Sequence, residues 1–105
     1  MTARTLIAGL PPLEQVRAAV ALSEQIVILL PEWAVDYRTA LRREFRDNER
    51  VMVAAADPPV LPWVDRFFTA VWAGPEWPEA ELRRVATLEA PIERLPELGA
   101  ASKRR

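Results

Sequence analysis

The sequence contains neither cysteine nor histidine, and only three of its 105 residues are glycine. Without cysteine, disulfides and thiolate chemistry are excluded. Without histidine, the chain lacks the commonest general base, the commonest metal ligand and any Ser-His or Cys-His pair. Its own chemistry is restricted to carboxylates, hydroxyls, arginines, Tyr37 and Lys103. We therefore predict no catalytic residue and no metal ligand.

Long apolar runs and an excess of charge of one sign are also missing. No apolar run approaches the roughly 20 residues of a membrane span, and the N-terminus lacks the apolar segment of a signal peptide. The net charge of -1 provides no general attraction to nucleic acid or anionic lipid. We expect a cytoplasmic protein that contacts neither nucleic acid nor membrane. Its hydrophobic content of 50% predicts one globular domain over residues 1–98, followed by a flexible basic tail at 99–105.

Short apolar segments alternate with amphipathic ones along most of the chain. The predicted strands are 5–10, 25–30, 50–55 and 67–73, and the predicted helices are 13–22, 32–48 and 78–88. Such alternation is typical of a parallel sheet covered by helices. We predict an α/β fold, a three-layer Rossmann-like domain with a short, mostly parallel sheet of four to five strands. After residue 90 we expect irregular chain, with 84–88 as an alternative short strand.

Segments in the middle of the chain resemble the class I S-adenosylmethionine-dependent methyltransferases. Asp57 follows the third predicted strand, and Leu61-Pro62-Trp63 is similar to the Leu-Pro-aromatic loop of that family. The stretch 68–71 resembles its Phe-Asp-x-Val strand, with Thr69 in place of the Asp. The resemblance covers roughly residues 5–73. It favours a strand at 67–73, where the apolar spacing alone also fits a helix over 64–73.

The resemblance implies four cofactor-binding residues. Gly9 stands at the first glycine of the cofactor turn, Glu32 at the acidic residue that binds the ribose, and Asp57 near the adenine. Leu61 belongs to the loop that follows. Glu32 and Asp57 also have simpler interpretations. An acid such as Glu32 in the first turn of a helix is favoured by the helix dipole, and an Asp such as Asp57 is common in turns before proline.

The turn after the first strand departs from the family's pattern. Pro11 and Leu13 stand where later glycines are expected, and Pro12 lies between them. A glycine-rich turn lets the backbone approach a ligand and directs N–H groups at it, whereas proline has no N–H. The side chains of Leu10 and Leu13 would add bulk in the same space. We therefore predict that no cofactor binds, with S-adenosylmethionine as the alternative.

Four tryptophans are many for a chain of this length. We predict Trp33 and Trp72 in the core, with the indole N–H satisfied. Trp63 and Trp77 lie in proline-rich loops, and we predict them at an interface or pocket rim, since tryptophan is enriched where proteins meet. A short sheet also leaves an edge that a partner chain would cover. We expect a protein partner or a homodimer.

Three functions remain open at this point. The first is a non-catalytic methyltransferase-like domain that acts as a structural or regulatory protein-interaction module, and not as an enzyme. The second is a small S-adenosylmethionine-dependent methyltransferase, or a protein that binds this cofactor through an atypical loop. The third is an unrelated small α/β binding module, which a helix at 64–73 or the absence of a parallel sheet would indicate.

Overall fold

The computed structural model of the protein describes residues 3–62 and 68–95. Strands and helices alternate along it: β1 (Arg4–Ala8), α1 (Leu13–Leu22), β2 (Gln25–Leu30), α2 (Val35–Glu44), β3 (Val51–Ala55), β4 (Ala70–Ala73), α3 (Glu79–Arg83) and β5 (Ile92–Arg94). The five strands form one sheet in the order β3-β2-β1-β4-β5, and every neighbouring pair is parallel. The predicted α/β fold with a short parallel sheet is confirmed.

The strand order places β1 at the centre of the sheet. The chain first builds outward through β2 to β3, and then returns to the other side of β1 to add β4 and β5. This is the order of the first five strands of a doubly wound dinucleotide-binding sheet. The order reverses between β1 and β4, and in open α/β sheets ligands bind in the crevice beyond the carboxyl ends of the strands at such a point. We call this side of the sheet the carboxyl edge.

Each face of the sheet is covered by different helices. Leu6 and Ala8 of β1 are packed in one buried cluster with Leu82 of α3. Ile7, which points to the opposite face because side chains alternate along a strand, packs with Val16 of α1. Leu41 of α2 belongs to that second cluster as well. The molecule thus has the three predicted layers, with α1 and α2 on one face and α3 on the other.

Helix α2 is shorter than the sequence predicted. It begins at Val35 instead of residue 32, because a turn comes first in which the Ala34 N–H donates to the Pro31 carbonyl oxygen at 3.0 Å. Leu41 is its one fully buried residue, and the flanking Tyr37 and Phe45 are half-buried against the same core. The residues before Val35 therefore belong to a loop at the carboxyl edge.

The second half of the chain contains a strand that the sequence analysis missed. β5 pairs with β4 in parallel, with Val71 opposite Ile92, so the prediction of irregular chain after residue 90 was wrong. The alternative strand at 84–88 is also absent, since α3 ends at Arg83 and Ala86 forms only an isolated bridge to Phe68.

The predicted fourth strand is confirmed over Ala70–Ala73, where it pairs in parallel with β1. A helix over this part of 64–73 is therefore ruled out. Residues 63–67, and with them Trp63, lie outside the described residues, as does the predicted tail at 99–105. Within the described part of the chain, no helix has the length and apolar character needed to cross a bilayer.

Candidate functional site

A crevice of about 230 Å³ opens at the carboxyl edge, beyond the ends of β1 and β4. Four loops line it: residues 9–10 after β1, Pro31 and Trp33 after β2, residues 57–58 after β3 and residues 74–76 after β4. The parallel sheet brings these loops together because all its strands end on the same side. Two of the four predicted cofactor residues, Gly9 and Asp57, therefore lie in one crevice, which is the candidate site.

Gly9 and Gly74 form the floor of this crevice. The Gly9 N–H donates to the Leu29 carbonyl oxygen at 2.9 Å, and the Gly74 N–H donates to the Ala8 carbonyl oxygen at 2.8 Å. Gly9 has a φ of 141°, a conformation that L side chains rarely adopt. A Cβ placed on it would lie 3.1 Å from the Gly74 nitrogen. The close packing of β1 against β4 thus explains Gly9 without any ligand.

The turn at residues 10–12, which follows β1, is held against α2. Pro11 is buried, and its carbonyl oxygen accepts a hydrogen bond of 2.7 Å from the Tyr37 hydroxyl. Burial raises the pKa of Tyr37, so the phenol stays protonated as the donor at neutral pH. With prolines at 11 and 12, the turn offers few N–H groups toward the crevice. The turn therefore packs against α2 and provides few donors that could bind an anion.

Asp57 both lines the crevice and shapes the loop beside it. Its Oδ1 accepts a hydrogen bond of 3.1 Å from the Glu32 backbone N–H. Arg38 holds the same loop from the other side, since its Nη1 donates to the Pro31 carbonyl oxygen at 3.1 Å. The sequence placed Glu32 and Asp57 in one site, and the structure brings them together through the backbone of Glu32. The Glu32 side chain is exposed and does not line the crevice.

Glu76 adds a second carboxylate to the crevice. Its Oε1 lies 2.5 Å from the position that a Cβ on Gly74 would occupy, so the carboxylate sits directly over that glycine. Arg94 of β5 secures the loop from below, because its Nη1 donates to the carbonyl oxygens of Gly74 at 3.0 Å and Trp77 at 2.7 Å. The strand missed by the sequence analysis thus positions one wall of the candidate site.

Leu61 does not line the crevice. Its side chain is 2% exposed and packs in the core cluster on the α3 face of the sheet. Its N–H donates to Glu81 Oε2 at 2.7 Å, which ties the loop after β3 to α3. That bond, together with the Arg84 guanidinium, holds the pKa of Glu81 below its ordinary value. Leu61 therefore connects the loop after β3 to α3.

Two tryptophans in the loops of this edge differ in burial from the predictions. Trp77, predicted at an interface or pocket rim, is 2% exposed and packs in the core with Leu82. Trp33, predicted in the core, is 68% exposed and lines the crevice. The reason is the late start of α2, which leaves Trp33 in the loop instead of on the buried face of the helix. The interface prediction for Trp63 falls outside the described residues.

The sequence analysis therefore missed Trp33, Gly74 and Glu76 as residues of this crevice. A signal was available for the last two, since they follow a predicted parallel strand whose carboxyl end must meet the same edge as Gly9 and Asp57. The same signal applied to Trp33, which follows β2, but its fit to the apolar spacing of the predicted helix led to a prediction in the core.

The described residues offer no better candidate for a binding site than this crevice. A wide, shallow depression of about 600 Å³ lies beside residues 44–50, at the turn between α2 and β3, away from the carboxyl edge. Across residues 3–62 and 68–95, no group of three acidic side chains is arranged to hold a metal ion.

Comparison of the chain with protein-family models, with curated proteins and with solved structures finds no match. The methyltransferase resemblance accordingly rests on the short segments quoted above.

Proposed function

We propose that this chain is a non-catalytic, methyltransferase-like protein-interaction module, and that its binding surface is the carboxyl edge of the sheet. The observation that carries the proposal is the exposure of Trp33, 68%, at the mouth of the crevice. Tryptophan buries a large area when a partner covers it and is enriched among the residues that dominate binding energy. An indole left in water beside a crevice is consistent with such a surface.

Two further exposed apolar side chains belong to segments at the carboxyl edge. Val35 begins α2 and Val60 lies in the loop after β3, and both are exposed. These segments follow β2 and β3, which are parallel and end at the same edge of the sheet as the crevice. Grouped apolar exposure of this kind is typical of interaction sites, whereas single exposed apolar residues are normal. A structural or regulatory role follows from a surface of this type.

The chemistry of the crevice supports a non-catalytic role. Neither histidine nor cysteine exists in the chain, so a proton-transfer or nucleophilic step would depend on carboxylates and hydroxyls. The carboxylate of Asp57 already accepts a hydrogen bond that shapes its loop. The proposal assigns the crevice to recognition.

The acidic side chains at the carboxyl edge also bear on the kind of partner. In a symmetric dimer the same patch faces itself, so Glu32, Asp57 and Glu76 of two copies would be brought near one another. Like charges at a contact oppose binding. We therefore favour a different protein as the partner over a second copy of this chain.

Site-specific crosslinking tests this proposal. A photoreactive benzoylphenylalanine placed at position 33, in cells that naturally make the protein, is expected to yield a discrete adduct with one partner. The matched control is the same substitution at Leu22, which is 81% exposed at the end of α1 and lies at the opposite edge of the sheet. Equal adducts from both positions, or none from position 33, would contradict the proposal.

A second candidate, binding of S-adenosylmethionine, is favoured by the presence of Gly9 and Asp57 in one crevice. Against it stand the turn at 10–13 and the burial of Leu61. We expect titration calorimetry with S-adenosylmethionine or S-adenosylhomocysteine to detect no binding at millimolar ligand. Micromolar affinity that is lost in Asp57→Asn but kept in the distant Glu49→Gln would overturn this expectation, and the turn would then be a variant cofactor loop.

A further inference from the structure

The crevice combines an aromatic side chain with two carboxylates. Trp33, which is largely exposed, lines it together with Asp57 and Glu76. An indole face attracts cations through its quadrupole, and carboxylates attract them by charge. These two attractions act together only on a ligand that carries positive charge. The lining of the crevice therefore selects for a cationic group.

No described basic side chain neutralises these carboxylates. The ion pairs among residues 3–62 and 68–95 join Arg17 to Glu44 and Arg84 to Glu81, all outside the crevice. Two arginines hold the crevice loops through backbone oxygens, Arg38 at Pro31 and Arg94 at Gly74 and Trp77. Their positive charges lie beside the crevice, but neither guanidinium is paired with Asp57 or Glu76, so both carboxylates remain available to a cationic partner.

We infer that the crevice binds an arginine side chain presented by the partner protein, an inference that rests on the proposed function. A guanidinium is planar, so it stacks on an indole, and its forked donors match a carboxylate. The volume of about 230 Å³ lies below the usual range for drug-sized ligands, roughly 300–1,000 Å³, and suits one side chain. In this arrangement the guanidinium lies against Trp33 and between Asp57 and Glu76.

An anionic ligand is disfavoured by the same features. Phosphate sites at the end of a first strand rely on backbone N–H groups and on the helix that follows. Here Pro11 and Pro12 supply no N–H, and two carboxylates would repel the phosphate. The crevice therefore differs in charge from the phosphate-binding crevices of similar topology.

Nuclear magnetic resonance titration with N-acetyl-argininamide tests the inference. In the full chain, we expect saturable shifts of the Trp33 indole N–H and of the Gly9 and Gly74 amides, weakening as salt is added. The matched ligand is N-acetyl-citrullinamide, which has nearly the same shape without the charge. We expect it to bind about tenfold more weakly, since it loses both the cation–π and the charge-assisted contacts.

Variants of the crevice provide the second arm. The double variant Asp57→Asn, Glu76→Gln is expected to lose about tenfold in affinity for the arginine amide. Both side chains are exposed, and an asparagine oxygen still accepts the Glu32 N–H, so the fold is retained. The control, Glu14→Gln on the exposed side of α1, should bind as the wild type does.

The outcomes separate this inference from the proposed function. Equal binding of the citrulline amide, or no shift at the three reporters, would overturn the inference. A position-33 adduct obtained together with that failure would leave the interaction surface standing without arginine recognition. Specific arginine binding without any adduct would retain the site and remove the interaction module.

Discussion

Replacing Trp77 with alanine is expected to lower the free energy of unfolding by about 3–5 kcal/mol. The indole is 2% exposed and is the largest fully buried side chain of the described residues. It packs in one cluster with Phe68 and Leu82, between the sheet and α3. Its removal leaves a cavity that the rigid sheet on one side cannot fill. Urea unfolding monitored by circular dichroism measures the change.

The same substitution at Trp33 is the control for this experiment. Trp33 is 68% exposed, so Trp33→Ala should change the free energy of unfolding by no more than about 0.5 kcal/mol. A domain of this size has about 5–15 kcal/mol of stability in total. Trp77→Ala is therefore expected to unfold at a much lower urea concentration than Trp33→Ala. Similar midpoints for the two variants would mean that Trp77 is not a core residue.

Strand β2 and Trp77 show which parts of the fold the sequence predicts and which it does not. The apolar run at residues 26–30 supported a predicted strand at 25–30, and β2 has those bounds. Trp77 lies in a loop whose local composition gives no sign of burial, because its burial depends on α3 packing back on the sheet. The environment of a loop residue is set by tertiary contacts that local patterns do not contain.

The fifth strand illustrates the same limit. β5 has three residues, two of them charged, and its burial pattern is mostly exposed. Neither alternation nor an apolar run distinguishes it from a loop. It forms because β4 offers an unpaired edge, on which Ile92 aligns with Val71. Pairing partners far away in the sequence decide such short edge strands.

Only part of the candidate site could be predicted from the sequence. Gly9 and Asp57 were identified from the resemblance to the methyltransferase family, and they meet in one crevice because the parallel strands before them end at one edge. Leu61 was predicted from a short motif that resembles a family loop, and the structure places its side chain in the core. Glu76 lies in a loop that Arg94 of the unrecognised strand holds through the carbonyl oxygens of Gly74 and Trp77.

Gly9 is the residue of the site with the sharpest structural requirement. It lies where β1 ends between β2 and β4, and its N–H is bonded to Leu29 of β2. Besides the Gly74 nitrogen, a Cβ on Gly9 would meet Leu95 Cδ1 at 3.2 Å. To accommodate the new atom, the Gly74 backbone and the buried Leu95 side chain would each have to shift by a few tenths of an ångström. Both the backbone conformation and the packing therefore oppose any side chain here.

Gly9→Ala is accordingly expected to lower the free energy of unfolding by about 2–4 kcal/mol, combining an unfavourable backbone conformation with an overpacked contact. Urea unfolding measures this, with Gly74→Ala as the matched control. The Cβ at Gly74 would meet only the end of the Glu76 side chain, which is free to rotate, so its cost should stay within about 1 kcal/mol. Because the requirement at Gly9 comes from its backbone conformation and from packing, the loss should appear without any ligand. If Gly9→Ala were as stable as Gly74→Ala, the close approach of β1 to β4 would be wrong, and the glycine would need a ligand to explain it.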